Sequence, residues 1–199
     1  MIVGITGGIG CGKSSAAKEL ERLGYRRVDS DQIVHEKVLS SSPVQEEVRQ
    51  RWGGVVFAAS GQIDRKELGR IVFGDDDERE ALENIVLPEV YRHWREALES
   101  RTARERWVFE VPLLFEKQLE NWFDFTVCVA SSPAVQLARL TKRGMDQALA
   151  EQRISKQLPL ARKIELADLV VWNDGSLAFL HQQLHALDER WNVALSANV

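Results

Sequence analysis

Cysteine is scarce. The 199 residues hold two, Cys11 and Cys128, far apart in the chain. Neither sits in a C-x-x-C or a Cys/His metal spacing, and such a pair makes no disulfide framework. A reducing, cytoplasmic setting is therefore expected. Long apolar runs are missing as well. No stretch approaches the roughly 18 consecutive apolar residues that mark a membrane span. The first residues offer neither a positive n-region nor a useful apolar h-region, so no signal peptide is expected. There is no internal repeat, and low complexity is confined to Ser40-Ser41-Ser42. His35, His93, His181 and His185 show no metal spacing; the last two are four residues apart but bring no third ligand. An excess of positive charge is also lacking: Lys plus Arg is 26 against 30 Asp plus Glu, a net −4. A mildly acidic chain does not coat nucleic acid or anionic membrane over its whole surface.

What is present is an ordinary globular mixture, 44% hydrophobic and 28% charged, which excludes a disordered chain. The charge is unevenly placed. Residues 139–163 hold seven basic and two acidic side chains, so this stretch is positive and the remainder acidic. Apolar runs at 2–6, 25–28, 107–111, 125–130 and 169–172 read as strands. Patterns of helical spacing at 13–23, 133–142, 147–157 and 177–191 lie between or after them. Strands alternating with helices predict an α/β fold with a mainly parallel sheet. Residues 31–104 break that rhythm, with helical patterns and no convincing strand. One of them, 77–98, carries Leu82, Ile85, Val86, Val90, Trp94 and Leu98 on roughly one face, with Pro88 expected to kink or split it.

Gly7-Gly8-Ile9-Gly10-Cys11-Gly12-Lys13-Ser14 matches G-x-x-x-x-G-K-[ST], with an apolar strand before it and a helix after. Glycines let the backbone curl with its N–H groups turned inward around an anion. The helix start adds its dipole. Gly8, Ile9, Gly10, Cys11, Gly12, Lys13, Ser14 and Ser15 are thus the residues expected to hold a nucleotide's phosphates. Lys13 would reach the β- and γ-phosphates and Ser14 would ligate Mg²⁺. Cys11 reads as a loop-filling residue, although a thiol beside a helix N-terminus can have a lowered pKa. The loop alone says NTPase or kinase. The base-reading N-K-x-D of a GTPase is absent.

The second strand ends in Val28-Asp29-Ser30-Asp31. Ligands bind at such strand ends, and a carboxylate there can hold Mg²⁺ through water or orient an attacking hydroxyl. Alternation puts Asp29 and Asp31 on one side if the strand persists; the competing use is helix capping.

At this point the chain resembles the dephospho-CoA kinase family. The resemblance rests on residues 6–14 and 29–31, and on further segments in order. These are Gly61-Gln62-Ile63-Asp64-Arg65-Lys66-Glu67-Leu68, Leu82 to Pro88, and Glu110-Val111-Pro112-Leu113-Leu114-Phe115-Glu116. Arg139 to Arg143, Arg153-Ile154-Ser155-Lys156-Gln157, Ala167-Asp168 and Asn173-Asp174-Gly175-Ser176 complete the set. Two positions depart from the family pattern: Leu87-Pro88 stands for the usual His-Pro, and Gly12-Lys13-Ser14-Ser15 for Gly-Lys-Ser-Thr.

The resemblance implies an α/β P-loop kinase core, with a five-stranded parallel sheet flanked by helices, a helical substrate domain and a lid. The core would span residues 1–30 and 105–199, with the lid at about 143–158 and the substrate domain at 31–104. It implies transfer of the ATP γ-phosphate to the ribose 3′-hydroxyl of dephospho-CoA, the last step of coenzyme A synthesis, with ATP and Mg²⁺. Asp31 would occupy the catalytic acidic position near hydroxyl and metal. Arg139, Lys142 and Arg143 share a helix face at i, i+3 and i+4. Arg143 and Arg139 are the candidates for stabilising transferring charge, against a solvated basic face. Arg153 could bind phosphate or pair with Glu151 or Asp146. Glu110 is a Walker B-like acid or a pairing residue. Asp31, Asp64, Arg65 and Glu110 are the substrate candidates, with capping the other use of Asp64. The partner would be the small molecule dephospho-CoA, with no nucleic acid and no membrane. A monomer is expected, a homo-oligomer being the alternative. Competing functions are another P-loop nucleotide or nucleoside kinase, and a non-catalytic nucleotide-binding regulator.

Overall fold

Five short strands make one parallel sheet in the order β2-β3-β1-β4-β5. They are β1 (Ile2–Gly7), β2 (Arg26–Asp29), β3 (Trp107–Glu110), β4 (Phe125–Ala130) and β5 (Leu169–Trp172). The structure is a computed structural model that describes residues 1–196. β1 lies at the centre, Val3 opposite Val108 on one side and Phe125 on the other. All six of its residues are buried, which is why it reads as an unbroken apolar run rather than an alternating one.

Nine α-helices are described: α1 (Lys13–Arg22), α2 (Ser30–Ile33), α3 (Ser42–Trp52), α4 (Arg65–Val72), α5 (Asp76–Glu99), α6 (Pro133–Lys142), α7 (Gln147–Ser155), α8 (Leu160–Leu166) and α9 (Leu177–Ser196). The chain divides into two compact units. One comprises Met1–Asp29 and the chain from Ala103 onward; the other is Ser30–Thr102.

In the first unit α1 and α9 pack together, and Ala16, Leu20, Leu180, Leu184 and Trp191 join Val3, Ile5 and Val127 in one core. α1 stops where Gly24 N–H reaches Glu21 O (3.0 Å) and Tyr25 N–H reaches Leu20 O (3.1 Å), the paired bonds of a Schellman end.

The second unit is helical apart from one antiparallel bridge, Phe57 to Ile63. α2 runs into a π-helical turn, Val34–Val38. α5 continues through Pro88 without interruption, so the expected split does not occur. Pro88 and Asn84, the residue whose carbonyl loses its helical partner, are both exposed, and water can satisfy that carbonyl. Val86, Val90 and Trp94 form the buried stripe of α5.

Candidate phosphate-transfer site

β1 ends in Gly7 and α1 begins at Lys13, leaving residues 8–12 to make a loop at the carboxyl end of the central strand. Gly10 and Gly12 hold φ of 81° and 97°. A Cβ on Gly12 would lie 2.2 Å from Asn173 Nδ2, so both backbone and space demand glycine there. Gly12 is the N-cap of α1 and gives it no side-chain cap, so the helix start is served by backbone alone.

The outer carbonyls of the loop are held from behind. Arg139 donates through Nη1 to Gly10 O (3.2 Å), Cys11 O (3.4 Å) and Ser131 Oγ (3.1 Å), and through Nη2 to Asn173 O (2.7 Å). Asn173 Nδ2 donates to Cys11 O (2.8 Å), and Ser131 Oγ to Asn173 O (2.9 Å). Carbonyls drawn to one side turn the intervening N–H groups to the other, which is what an anion cradle needs. Lys13 Nζ folds over the loop onto Gly7 O and Gly8 O, both at 3.2 Å.

Beside the loop lies a polar chain that runs from β2 to α1. Ser14 Oγ donates to Glu110 Oε1 (2.5 Å). Arg27 Nη2 donates to Glu110 Oε2 (3.1 Å) and to Asp29 Oδ2 (2.5 Å). β2 and β3 place Asp29 directly opposite Glu110, and Arg27, two residues back on the same side of β2, bridges the two acids. Glu110 is 5% exposed; burial is tolerable because both its oxygens are hydrogen-bonded.

Thus Gly8 to Ser15, Glu110 and Arg139 come together in the first unit, with two corrections. Arg139 is not on a solvated basic face with its neighbours: its guanidinium is committed to loop carbonyls, whereas Lys142 and Arg143 are exposed and Arg143 is the C-cap of α6. The Cys11 thiol is not lowered by the helix start. It is fully buried, and burial pushes its pKa up although Lys13 pulls the other way. Cys128, also buried, is pushed up to about 12 by burial.

In the second unit Asp31 lies exposed in the first turn of α2. β2 has already ended at Asp29, so strand alternation does not align Asp31 with Asp29. Asp64 caps α4, accepting from Lys66 N (2.9 Å) and Glu67 N (3.2 Å), and Arg65 follows exposed at the helix start. Asp146 similarly caps α7 through Leu149 N (2.8 Å).

The sequence reading missed three groups. Arg27 was legible in the period-two spacing of Arg27 and Asp29. Gln157, which accepts the Ile9 N–H at 2.8 Å, and the buried Lys163–Glu116 pair at 2.7 Å are long-range contacts with no local signal.

A parallel sheet with a glycine loop opening α1, a lysine over that loop, and a serine hydroxyl tied to a buried acid define a P-loop phosphotransferase. The dephospho-CoA kinase family model matches residues 1–178. A dephospho-CoA kinase of Thermosynechococcus vestitus is 40% identical over 184 residues, covering 92% of this chain and 90% of its own. One of Carboxydothermus hydrogenoformans is 35% identical, covering 96% and 94%. The crystal structure of TT1252 from Thermus thermophilus superposes with a TM-score of 0.80 at 34% identity, covering 96% and 97%. The chain belongs to the dephospho-CoA kinase family. It is an enzyme, the kinase of the final step of coenzyme A synthesis.

Proposed function

We propose that the loop of residues 8–15 holds the phosphates of ATP through those of its amides not already bonded within the protein, and that Asp31 activates the ribose 3′-hydroxyl of dephospho-CoA. The observation that carries the nucleotide half is the loop itself, with its carbonyls held outward by Arg139 and Asn173 and its lysine in place. Lys13 would leave the Gly7 and Gly8 carbonyls for the β- and γ-phosphates.

The residues fit Mg²⁺. Ser14 gives its proton to Glu110, which leaves the oxygen's lone pairs for a cation. Among the described residues no cluster of three or more His, Cys, Asp or Glu can hold a metal ion. A Mg²⁺ bound through one serine hydroxyl, water and nucleotide phosphates is a pattern expected of that ion. When bound, it neutralises charge on the phosphates.

Asp31 accepts the proton of the attacking 3′-hydroxyl. Arg143, exposed at the end of α6 beside Gly144 (φ 85°), moves with a lid of about 143–158 and stabilises charge on the transferring group. The unit Ser30–Thr102 holds dephospho-CoA, with Arg65 on its phosphates and Asp64, the cap of α4, setting the start of that helix. Two free, buried cysteines suit a reducing cytoplasm, and among the described residues no helix is long and apolar enough to cross a membrane.

The test is ADP release with ATP, Mg²⁺ and a panel of acceptors. Turnover with dephospho-CoA, and a 3′-phosphate in the product, is expected. Turnover with AMP or adenosine and none with dephospho-CoA refutes the assignment.

A further inference from the structure

One contact of the phosphate loop has no part in the roles above. Ile9, the second residue of the loop, gives its backbone N–H to Gln157 Oε1 at 2.8 Å. Gln157 lies 148 residues away in sequence, two residues past the last residue of α7 and just before α8.

The segment around Gln157 is pinned. Leu158 N–H donates to Glu116 Oε1 (3.1 Å). Lys163 Nζ, fully buried, meets the same oxygen at 2.7 Å and donates to Pro112 O at 2.8 Å. A buried lysine paired with a carboxylate and a carbonyl is costly to disturb, so this anchor is stiff. At the other end α6 gives way at Gly144, φ 85°. The stretch between Gly144 and Lys156 therefore lies between a glycine and an anchored glutamine that touches the loop, with α7 packed against α6.

Resting on the reading of that stretch as the lid, we propose that Gln157 is a positioning residue for phosphoryl transfer. Its carboxamide oxygen ties the loop at Ile9 to the fixed end of the lid, so that loop shape and lid movement are coupled. The reason lies in the chemistry. Transfer needs the phosphates placed to a fraction of an ångström, and a loop of glycines has little stiffness of its own. An acceptor from the lid's fixed end orients one loop peptide without adding charge beside the phosphates. A carboxylate there would repel them, and an apolar side chain would leave the N–H without a protein partner.

The experiment compares the full-length parent with Gln157→Leu and Gln157→Glu by three readouts. These are amide exchange at Ile9 without nucleotide, ATP affinity by direct binding, and the ratio of phosphate transfer to acceptor-independent ATP hydrolysis. Transfer is measured with whichever acceptor the parent phosphorylates, so failure on dephospho-CoA counts against the functional assignment and not against the tie. In Gln157→Leu, exchange at Ile9 should quicken, kcat for transfer should fall roughly ten- to a hundredfold, and the transfer-to-hydrolysis ratio should drop. ATP affinity should change less than about threefold. Gln157→Glu keeps an acceptor oxygen; it should preserve slow exchange at Ile9 and raise the KM for ATP. Unchanged exchange at Ile9 in Gln157→Leu overturns the tie. Faster exchange with a parental kcat and ratio overturns the positioning role. If Gln157→Leu fails to fold, Gln157→Glu decides: fast exchange at Ile9 in that variant overturns the proposal.

Discussion

Replacing Arg139 by Leu separates two uses of one guanidinium. In the structure it touches four oxygens: Asn173 O at 2.7 Å, Ser131 Oγ at 3.1 Å, Gly10 O at 3.2 Å and Cys11 O at 3.4 Å. The last is long and contributes least. Cys11 O keeps Asn173 Nδ2, and Asn173 O keeps Ser131 Oγ. The main loss is therefore the charged bonds to Asn173 O and Gly10 O. A hydrogen bond from a charged donor contributes about 1.5–3 kcal/mol. The side chain is half-buried, so water takes back part of that. A loss of about 2–3 kcal/mol is expected, which in a chain of this size moves Tm down by roughly 5–10 °C. Urea unfolding followed by tryptophan fluorescence, beside direct ATP binding, reads both consequences. If Arg139 shapes the cradle, the urea midpoint falls and ATP binds more weakly. A variant with parental stability and parental ATP affinity that loses only kcat refutes this reasoning. It would return Arg139 to the reacting phosphate.

Asp31→Asn should lower kcat by about 10²–10⁴-fold while ATP still binds in a direct binding assay; retained turnover would show that no base acts there. Both thiols are buried with raised pKa values, so mass spectrometry after iodoacetamide at pH 7.5 should find the folded chain unmodified, and rapid labelling of Cys11 would contradict its burial. Glu19 accepts from Arg22 and faces His185 at 3.0 Å. Burial pushes its pKa up, but His185, Arg22 and His181 together hold it below its ordinary value of 4.5. A lowered carboxylate stabilises the fold above its unfolded pKa, and that contribution is lost as pH falls through the folded value. Glu19→Gln should thus cost stability at pH 7 and progressively less below about pH 4.5; an equal cost at pH 7 and pH 3, read by urea midpoints, would refute the assignment.

Much of the fold was legible because its signals are local. β1 reads as a strand because a central parallel strand is buried on both faces. α1 announces its end through Gly24, and residues 7–14 announce a phosphate loop because the glycines and Lys-Ser act within one turn of chain. Asp64 was legible as a cap for the same reason: its carboxylate reaches only two and three residues onward. Pro88 does not split α5, because the helix is held by its buried stripe and turns the missing bond to solvent.

Glu110 and Arg139 show the boundary between the two kinds of information. Their presence was visible, but the same residues fitted a pairing role, a metal-side role or a catalytic one. Only the pairing of β2 with β3 brought Arg27 between Asp29 and Glu110. Only the packing of α6 behind the loop turned Arg139 onto its carbonyls.

The sequence by itself determined that residues 7–14 carry a phosphate-loop motif, that strands alternate with helices outside residues 31–104, and which family's motifs it carries. These depend on interactions within a turn or two, where spacing along the chain is spacing in space. Tertiary structure alone decided which charged groups neutralise one another, which glutamine holds Ile9, and that Cys11 is shielded. Arg27 and Glu110 are 83 positions apart and Ile9 and Gln157 are 148 apart; the chain order carries no record of such contacts until the sheet is assembled.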